Sequence, residues 1–228
     1  MTNINFITKA LISTNKAQQC LVCHQYCFLP YPLCENCSQH LSIVPSSHCI
    51  TCIAPTTQKY CGMCTIKKPY FKEIITYYSY DKLCQYLLQQ MKFNQNIGLA
   101  VFFGMAISKL ISTKNFDYII YVPIHHKRWR KRLYNPCHII AKTISAETNI
   151  FLLNNALIKK SHTKSLSLSN NRNFNSSYKS FQLVKKIQGH ILLIDDIITS
   201  GNTVNSIAKL LLENYAQTVT VAAAIKVI

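Results

Sequence analysis

At 228 residues the chain can hold one large domain or two modest ones, and 49% hydrophobic content is enough for a packed core. No apolar run reaches the roughly 20 residues of a membrane span. Residues 1–19 lack the apolar stretch and cleavage site of a signal peptide, so the protein is expected in the cytoplasm. The formal charge of +17, from 25 basic and 8 acidic residues, favours a polyanionic partner such as nucleic acid, a nucleotide or a membrane surface.

The basic residues are 21 Lys and 4 Arg, and three of the arginines are Arg128, Arg130 and Arg132, with Arg172 alone further on. A solvated basic surface would use either residue. Arg adds a planar, bidentate fork suited to phosphate, so both places are site candidates.

In chain order, the first segment is cysteine-dense: nine of eleven cysteines lie between Cys20 and Cys64. They form four Cys-x-x-Cys pairs: Cys20/Cys23, Cys34/Cys37, Cys49/Cys52 and Cys61/Cys64. Two such pairs complete a tetrahedral zinc site, and in a cytosolic chain metal is the better reading than disulfides. About two zinc ions are expected. Sequential pairing closes the shorter loops, although spacing leaves interleaved pairing open. A segment this small is expected to need the metal as its core. Cys27, Cys84 and Cys137 lie outside the pairs and read as buried structural thiols.

After Pro69 the pattern changes, which suggests a cysteine-rich module over residues 1–70 and a second domain over 71–228. Residues 74–80 are β-branched and aromatic, a strand. Residues 82–93 and 97–111 carry helical apolar spacing. A short strand over 118–122, a helix over 136–147 and a weak strand over 156–159 follow. Residues 162–177 are Ser/Asn-rich and unpatterned, a loop able to close over a site. Then come a buried strand over 191–194, a helix over 202–214 and a last strand over 218–227. Strands alternating with helices predict an α/β fold with a doubly wound, mainly parallel sheet, which binds ligands at the carboxyl ends of its strands.

One such end carries chemistry. Asp195 and Asp196 follow the apolar run 191–194, and Thr199, Ser200, Gly201, Asn202 and Thr203 come next, entering a helix. Adjacent carboxylates in apolar surroundings repel one another and lose hydration, so hydroxyl donors or a cation should relieve them. A glycine-bearing turn at a helix N-terminus binds phosphate through backbone amides. Carboxylates for a diol and a turn for phosphate describe a site for ribose 5-phosphate.

That stretch resembles the phosphoribosyl pyrophosphate motif of type I phosphoribosyltransferases, with Ser200 at the second Thr. Val122-Pro123-Ile124-His125-His126-Lys127-Arg128, continuing to Arg130, Arg132, Tyr134 and Asn135, resembles the Val-Pro-x-His-x-x-Arg signature of the ComF family. Thr163, Arg172, Asn175 and Phe181 resemble that family's later motif, and Lys92-Phe93 its Lys-Tyr. The resemblance runs from about Cys20 onwards.

It implies a competence protein with a zinc module and a phosphoribosyltransferase-like domain. Its role would be handling single-stranded DNA in the cytosol during natural transformation, alongside DNA-uptake machinery. Pro123, His125, Lys127 and Arg128 would serve pyrophosphate, with magnesium accompanying phosphoribosyl pyrophosphate. Asp195 and Asp196 would be the catalytic pair if transfer occurs.

Arginines with interleaved aromatics suit a single strand, which makes Arg128, Trp129, Arg130, Arg132 and Arg172 candidates for nucleic acid. The rival reading is an active phosphoribosyltransferase of nucleotide metabolism; a third is a zinc-dependent adaptor. Two departures stand out: the family's Gly after the second Arg is Leu133, and its Gln is Pro136. Leu does not easily take φ > 0, so the loop near Arg132 is expected to be reshaped.

Overall fold

A computed structural model describes residues 17–125, 130, 132–160 and 180–228. The expected loop 162–177 lies outside the described residues, as do Lys127, Arg128, Trp129 and Arg172. Among the described residues no helix is long and apolar enough to cross a membrane.

Four short elements make up the cysteine-rich region: β1 (Gln18–Gln19), β2 (Tyr26–Cys27), α1 (Glu35–Gln39) and α2 (Gly62–Ile66). The remainder runs β3 (Ile74–Ile75), β4 (Tyr78–Ser79), α3 (Lys82–Phe93), α4 (Ile97–Ile111), β5 (Tyr118–Tyr121) and α5 (Pro136–Thr148). It ends with β6 (Phe151–Leu152), β7 (Leu157–Lys159), β8 (Phe181–Leu183), β9 (Gly189–Ile198), α6 (Asn202–Glu213) and β10 (Ala216–Lys226).

The main sheet has the order β3-β10-β9-β5-β6, with β4 also on β10, and every pairing in it is parallel. Helices cover both faces. The face under α3, α4 and α5 is filled by Leu87, Met91, Phe103, Ile107, Ile140 and Ile144. The face under α6 is filled by Val204, Ile207 and Leu211 with Leu193 and Val221. The doubly wound, mainly parallel sheet read from the alternation therefore forms. Its central strands are apolar on both sides because both sides are covered. Helices α4 and α5 meet closely at Gly104, where a Cβ would lie 2.6 Å from the Thr143 Cβ.

Several elements differ from expectation, among them β6, an edge strand of the main sheet where none was expected. The strand expected over 74–80 is split into β3 and β4, because Thr76 turns its Oγ to the Ala224 carbonyl (3.3 Å) and breaks the run. The strand expected to stop at Ile194 continues to Ile198. The weak strand β7 finds its partner in β8, an antiparallel pair apart from the main sheet that no periodicity announced.

The cysteine-rich region joins the sheet directly. Val44 donates to the Tyr77 carbonyl and Ser79 to the Ser42 carbonyl, with Ile43 bridged antiparallel to Tyr78. Asp81 caps α3 by accepting from the Cys84 amide at 2.6 Å and also accepts from the Ser42 amide at 3.1 Å. Leu33 and Leu41 enter one core, and Ile53 and Phe71 the other. The segment, expected to need metal as its core, also shares apolar burial with the larger fold.

Candidate functional site

Strand β9 carries the acids, and its neighbours decide where they open. Strand β5 pairs with β9 only as far as Tyr121 opposite Ile194, and the Val122 amide still reaches the Ile194 carbonyl at 2.9 Å. Beyond that point β9 keeps β10 alone as a neighbour, so Asp195 and Asp196 lie just past the end of β5. The chain leaves β5 toward β6 on one side and returns to β9 on the other. This is the switch point where parallel sheets open a ligand crevice. The acids are thus at the carboxyl edge of β5, though still within their own strand.

Two side chains and one backbone amide meet the pair, and Asn135 supports them from behind. Lys92, in the last turn of α3, places Nζ 2.9 Å from Asp196 Oδ2, with both side chains mostly buried. Cys137, in the first turn of α5, places Sγ 3.6 Å from Asp195 Oδ1. The Asp196 amide donates to that same oxygen at 2.8 Å. Asn135 caps α5, accepting from the Cys137 amide at 3.1 Å, and donates through Nδ2 to the Val122 carbonyl at 3.0 Å. It thereby fixes the strand end that leads into Pro123 and His125.

Burial first, and the Asp196 charge second, push the Asp195 carboxyl up to about 7. The Cys137 thiol is held well above its ordinary value, chiefly by burial and then by the charges of Asp196 and Asp195, so it stays a donor. Expected only as a buried thiol, Cys137 is buried and also touches the site. Its sequence neighbour Asn135 was the signal.

The turn after β9 is an exposed glycine-bearing turn that leads into a helix. Gly201 takes φ 75° at the N-cap of α6, a conformation glycine adopts freely. Thr199, Ser200, Asn202 and Thr203 are exposed around it, and the Asn202 amide donates to Ser200 Oγ at 3.5 Å. Beneath the turn, Lys226 donates to the Thr199 carbonyl at 3.0 Å and to the Val227 carbonyl. Burial lowers the Lys226 ammonium from its ordinary value. This lysine escaped the sequence reading, although a lone charge closing the apolar run 221–225 was a usable sign.

Of the basic candidates, Arg130 is exposed and Arg132 lays its guanidinium 5.0 Å from the centre of the Phe93 ring. Phe93 follows Lys92, so the Arg-bearing segment and the acid pair meet at the end of α3. Tyr134 adds a hydrogen bond from its hydroxyl to the Met91 carbonyl, and burial pushes that hydroxyl up to about 12. Leu133 keeps a glycine-type backbone with φ 61° and stays exposed. Leu133 bears the strain of that left-handed backbone, and residues 126–129 and 131 of the same loop lie outside the described residues.

The eight paired cysteines gather into two tetrads, Cys20/Cys23/Cys34/Cys37 and Cys49/Cys52/Cys61/Cys64, with the sulfurs of each within 4.8 Å of one another. This is the sequential pairing. The two share one local design. Cys20 and Cys49 each accept an amide four residues on, from His24 and Ile53, and both of those residues take left-handed φ (60° and 64°). Cys34 and Cys61 each begin a short helix.

Sulfur separations of 3.7 Å for Cys23–Cys34 and 3.5 Å for Cys52–Cys61 fit zinc, whose Zn–S bonds of about 2.3 Å imply tetrahedral S···S edges near 3.8 Å. Burial opposes ionisation of Cys20, but amides of Cys34, Cys23 and Val22 outweigh it and bring the thiol down to about 6. Both tetrads could hold zinc.

No family model matches the chain. It is similar to the DNA utilization protein YhgH of Escherichia coli O157:H7, 28% identical over 204 residues that cover 83% of this chain and 88% of that protein. Competence protein F of Haemophilus influenzae is 28% identical over 192 residues, covering 78% and 83%. These homologues bear out the family resemblance read from the motifs. Among solved structures it is similar to the allosteric regulatory enzyme of purine biosynthesis, with a TM-score of 0.41 and 15% identity. That match covers 60% of this chain and 30% of the other, and carries no argument about activity.

Proposed function

We propose that this chain is a ComF-like competence protein that handles single-stranded DNA in the cytosol. It would carry a pocket for phosphoribosyl pyrophosphate or a related phosphorylated ribose, and zinc in both tetrads. The observation that carries the reading is the acid pair at the switch point with an anion-binding turn one step beyond it. In this reading the amides and hydroxyls of Thr199 to Thr203 hold the 5-phosphate, and Asp195 and Asp196 accept from the ribose hydroxyls. Pro123, His125, Lys127 and Arg128 would serve the pyrophosphate.

Magnesium, if bound with phosphoribosyl pyrophosphate, would screen charge between pyrophosphate and ribose oxygens. The chain's own donors at the acid pair include a thiol and are already met by Lys92, so they suit hydroxyls better than that ion. The net charge and the relatives named for DNA utilization and competence support the nucleic-acid role. Arg128, Trp129, Arg130, Arg132 and Arg172 are its proposed contacts.

The test compares phosphoribosyl pyrophosphate and a labelled single strand, each titrated into wild type and Asp195→Asn/Asp196→Asn. The sugar phosphate should bind wild type and lose at least about tenfold in the variant, by the loss of charged hydrogen bonds. Strand binding should weaken steeply with salt. A wild type that binds neither ligand at low salt refutes the reading.

The rival reading is an active phosphoribosyltransferase. Pyrophosphate release across a panel of bases decides between them, and silence with ligand bound leaves binding alone.

A further inference from the structure

Two buried carboxylates side by side would ordinarily call for a divalent cation. The sulfur of Cys137 and carboxylate oxygens of Asp195 and Asp196 do come within 4.8 Å of one another, close enough to share an ion. Lys92 nevertheless reaches into this cluster and bonds the outer oxygen of Asp196 at 2.9 Å. It comes from a different element, α3, and only 17% of its side chain remains exposed. A long flexible side chain loses on the order of 2 kcal/mol of rotamer freedom when ordered this way, and an ammonium loses hydration, so the contact must return something.

We infer that Lys92 is the resident counter-cation of the acid pair, occupying the position a divalent ion would otherwise take. It lets the pair accept a vicinal diol without metal. The chemistry is matched. Each ribose hydroxyl has one proton to give and lone pairs to receive. The carboxylates take the protons, and the ammonium, with three N–H donors, serves the lone pairs. Cys137 and the Asp196 amide already occupy Asp195 Oδ1, which leaves Asp195 Oδ2, beside the Lys92–Asp196 pair, for the ligand. Lys92 is therefore a positioning and ligand-contacting residue of the cradle, and it sets the cradle's indifference to divalent ions. This rests on reading the cradle as a phosphorylated-ribose site.

The probe is ribose 5-phosphate, which lacks the pyrophosphate that would recruit magnesium for its own reasons. Calorimetric titrations use the zinc-loaded full chain, with and without added magnesium. Wild type should bind equally well in both. Lys92→Met should bind at least about tenfold more weakly without magnesium, by the loss of a charged hydrogen bond, and regain part of that with it. Lys92→Arg should restore metal-free binding.

Independently of any sugar, manganese titrated by its paramagnetic signal should bind Lys92→Met at a site absent from wild type. That site should vanish in Lys92→Met/Asp196→Asn. Lys92→Gln provides a second, smaller truncation if the Met variant folds poorly. Equal manganese binding in wild type and Lys92→Met overturns the inference. So does wild-type sugar binding that requires magnesium. If wild type ignores ribose 5-phosphate while the manganese difference appears, the sugar reading fails and the counter-cation role stands.

Discussion

The cysteine tetrads and the acid pair solve the same electrostatic problem differently. Each crowds like-charged groups: four sulfurs within 4.8 Å in a tetrad, two adjacent carboxylates on β9. At the acid pair the fold supplies a cation of its own, Lys92 at 2.9 Å. At the tetrads the sulfur spacing suits an ion brought from outside. The lesson is that a cluster's composition alone does not announce a metal site; the charge already parked on it decides.

The largest effect should come from the tetrads. Purified protein should carry about two zinc ions by elemental analysis, and Cys49→Ser should leave about one and cost several kcal/mol in a denaturant midpoint. Retention of full stability after chelation would erase the contrast between the regions.

Next, Asp196→Ala strands Lys92 against a buried site and should cost about 3–5 kcal/mol, whereas removing both in Lys92→Met/Asp196→Ala should cost less than the two singles together. Additive losses would mean that Lys92 compensates nothing.

A smaller and opposite effect is expected at Asp195. Its carboxyl is raised to about 7 in the folded chain, above its unfolded range near 4, so wild type loses stability as pH rises from about 4 to 7. Asp195→Asn escapes that loss. It should melt higher by a few degrees at pH 8, match wild type near pH 4, and bind the sugar phosphate worse. A variant that is less stable at both pH values would place Asp195 among groups that need their charge.

The smallest effect tests strain rather than charge. Leu133→Gly should gain about 0.5–1 kcal/mol, since φ 61° suits glycine while the exposed Leu side chain contributes little packing.

Much of this was legible in the chain. Helices α3 and α4 fall where apolar spacing and the Asp81 cap put them, because local signals and tertiary burial agree there. The acid pair and its turn were legible because carboxylates after an apolar run are rare. The cysteine pairing emerged from loop length. What stayed hidden was contact between distant segments. Lys92 was visible only as half of a Lys-Phe resemblance, since nothing local says that the end of α3 faces the end of β9. Cys137 looked like any buried thiol until α5 brought it to Asp195. The split between β3 and β4 depends on a threonine bonding to a strand 148 residues away, which no window of sequence contains.

The topology also sets the pace at which the site can come into being. Strand β10 lies between β9 and the pair β3/β4, matching Val221 to Ile74 and Ile225 to Tyr78. Those partners are separated by almost the whole domain, so their pairing closes the longest loop in the sheet. Parallel pairings of such high contact order form late. Until they form, the outer edge of β10 is unpaired and the strand that receives residues 42–44 has no place in the sheet. A nascent or stressed chain should then expose an apolar sheet edge and eight thiols at once, which makes slow closure, more than marginal final stability, the point at which this protein would be lost to aggregation or oxidation.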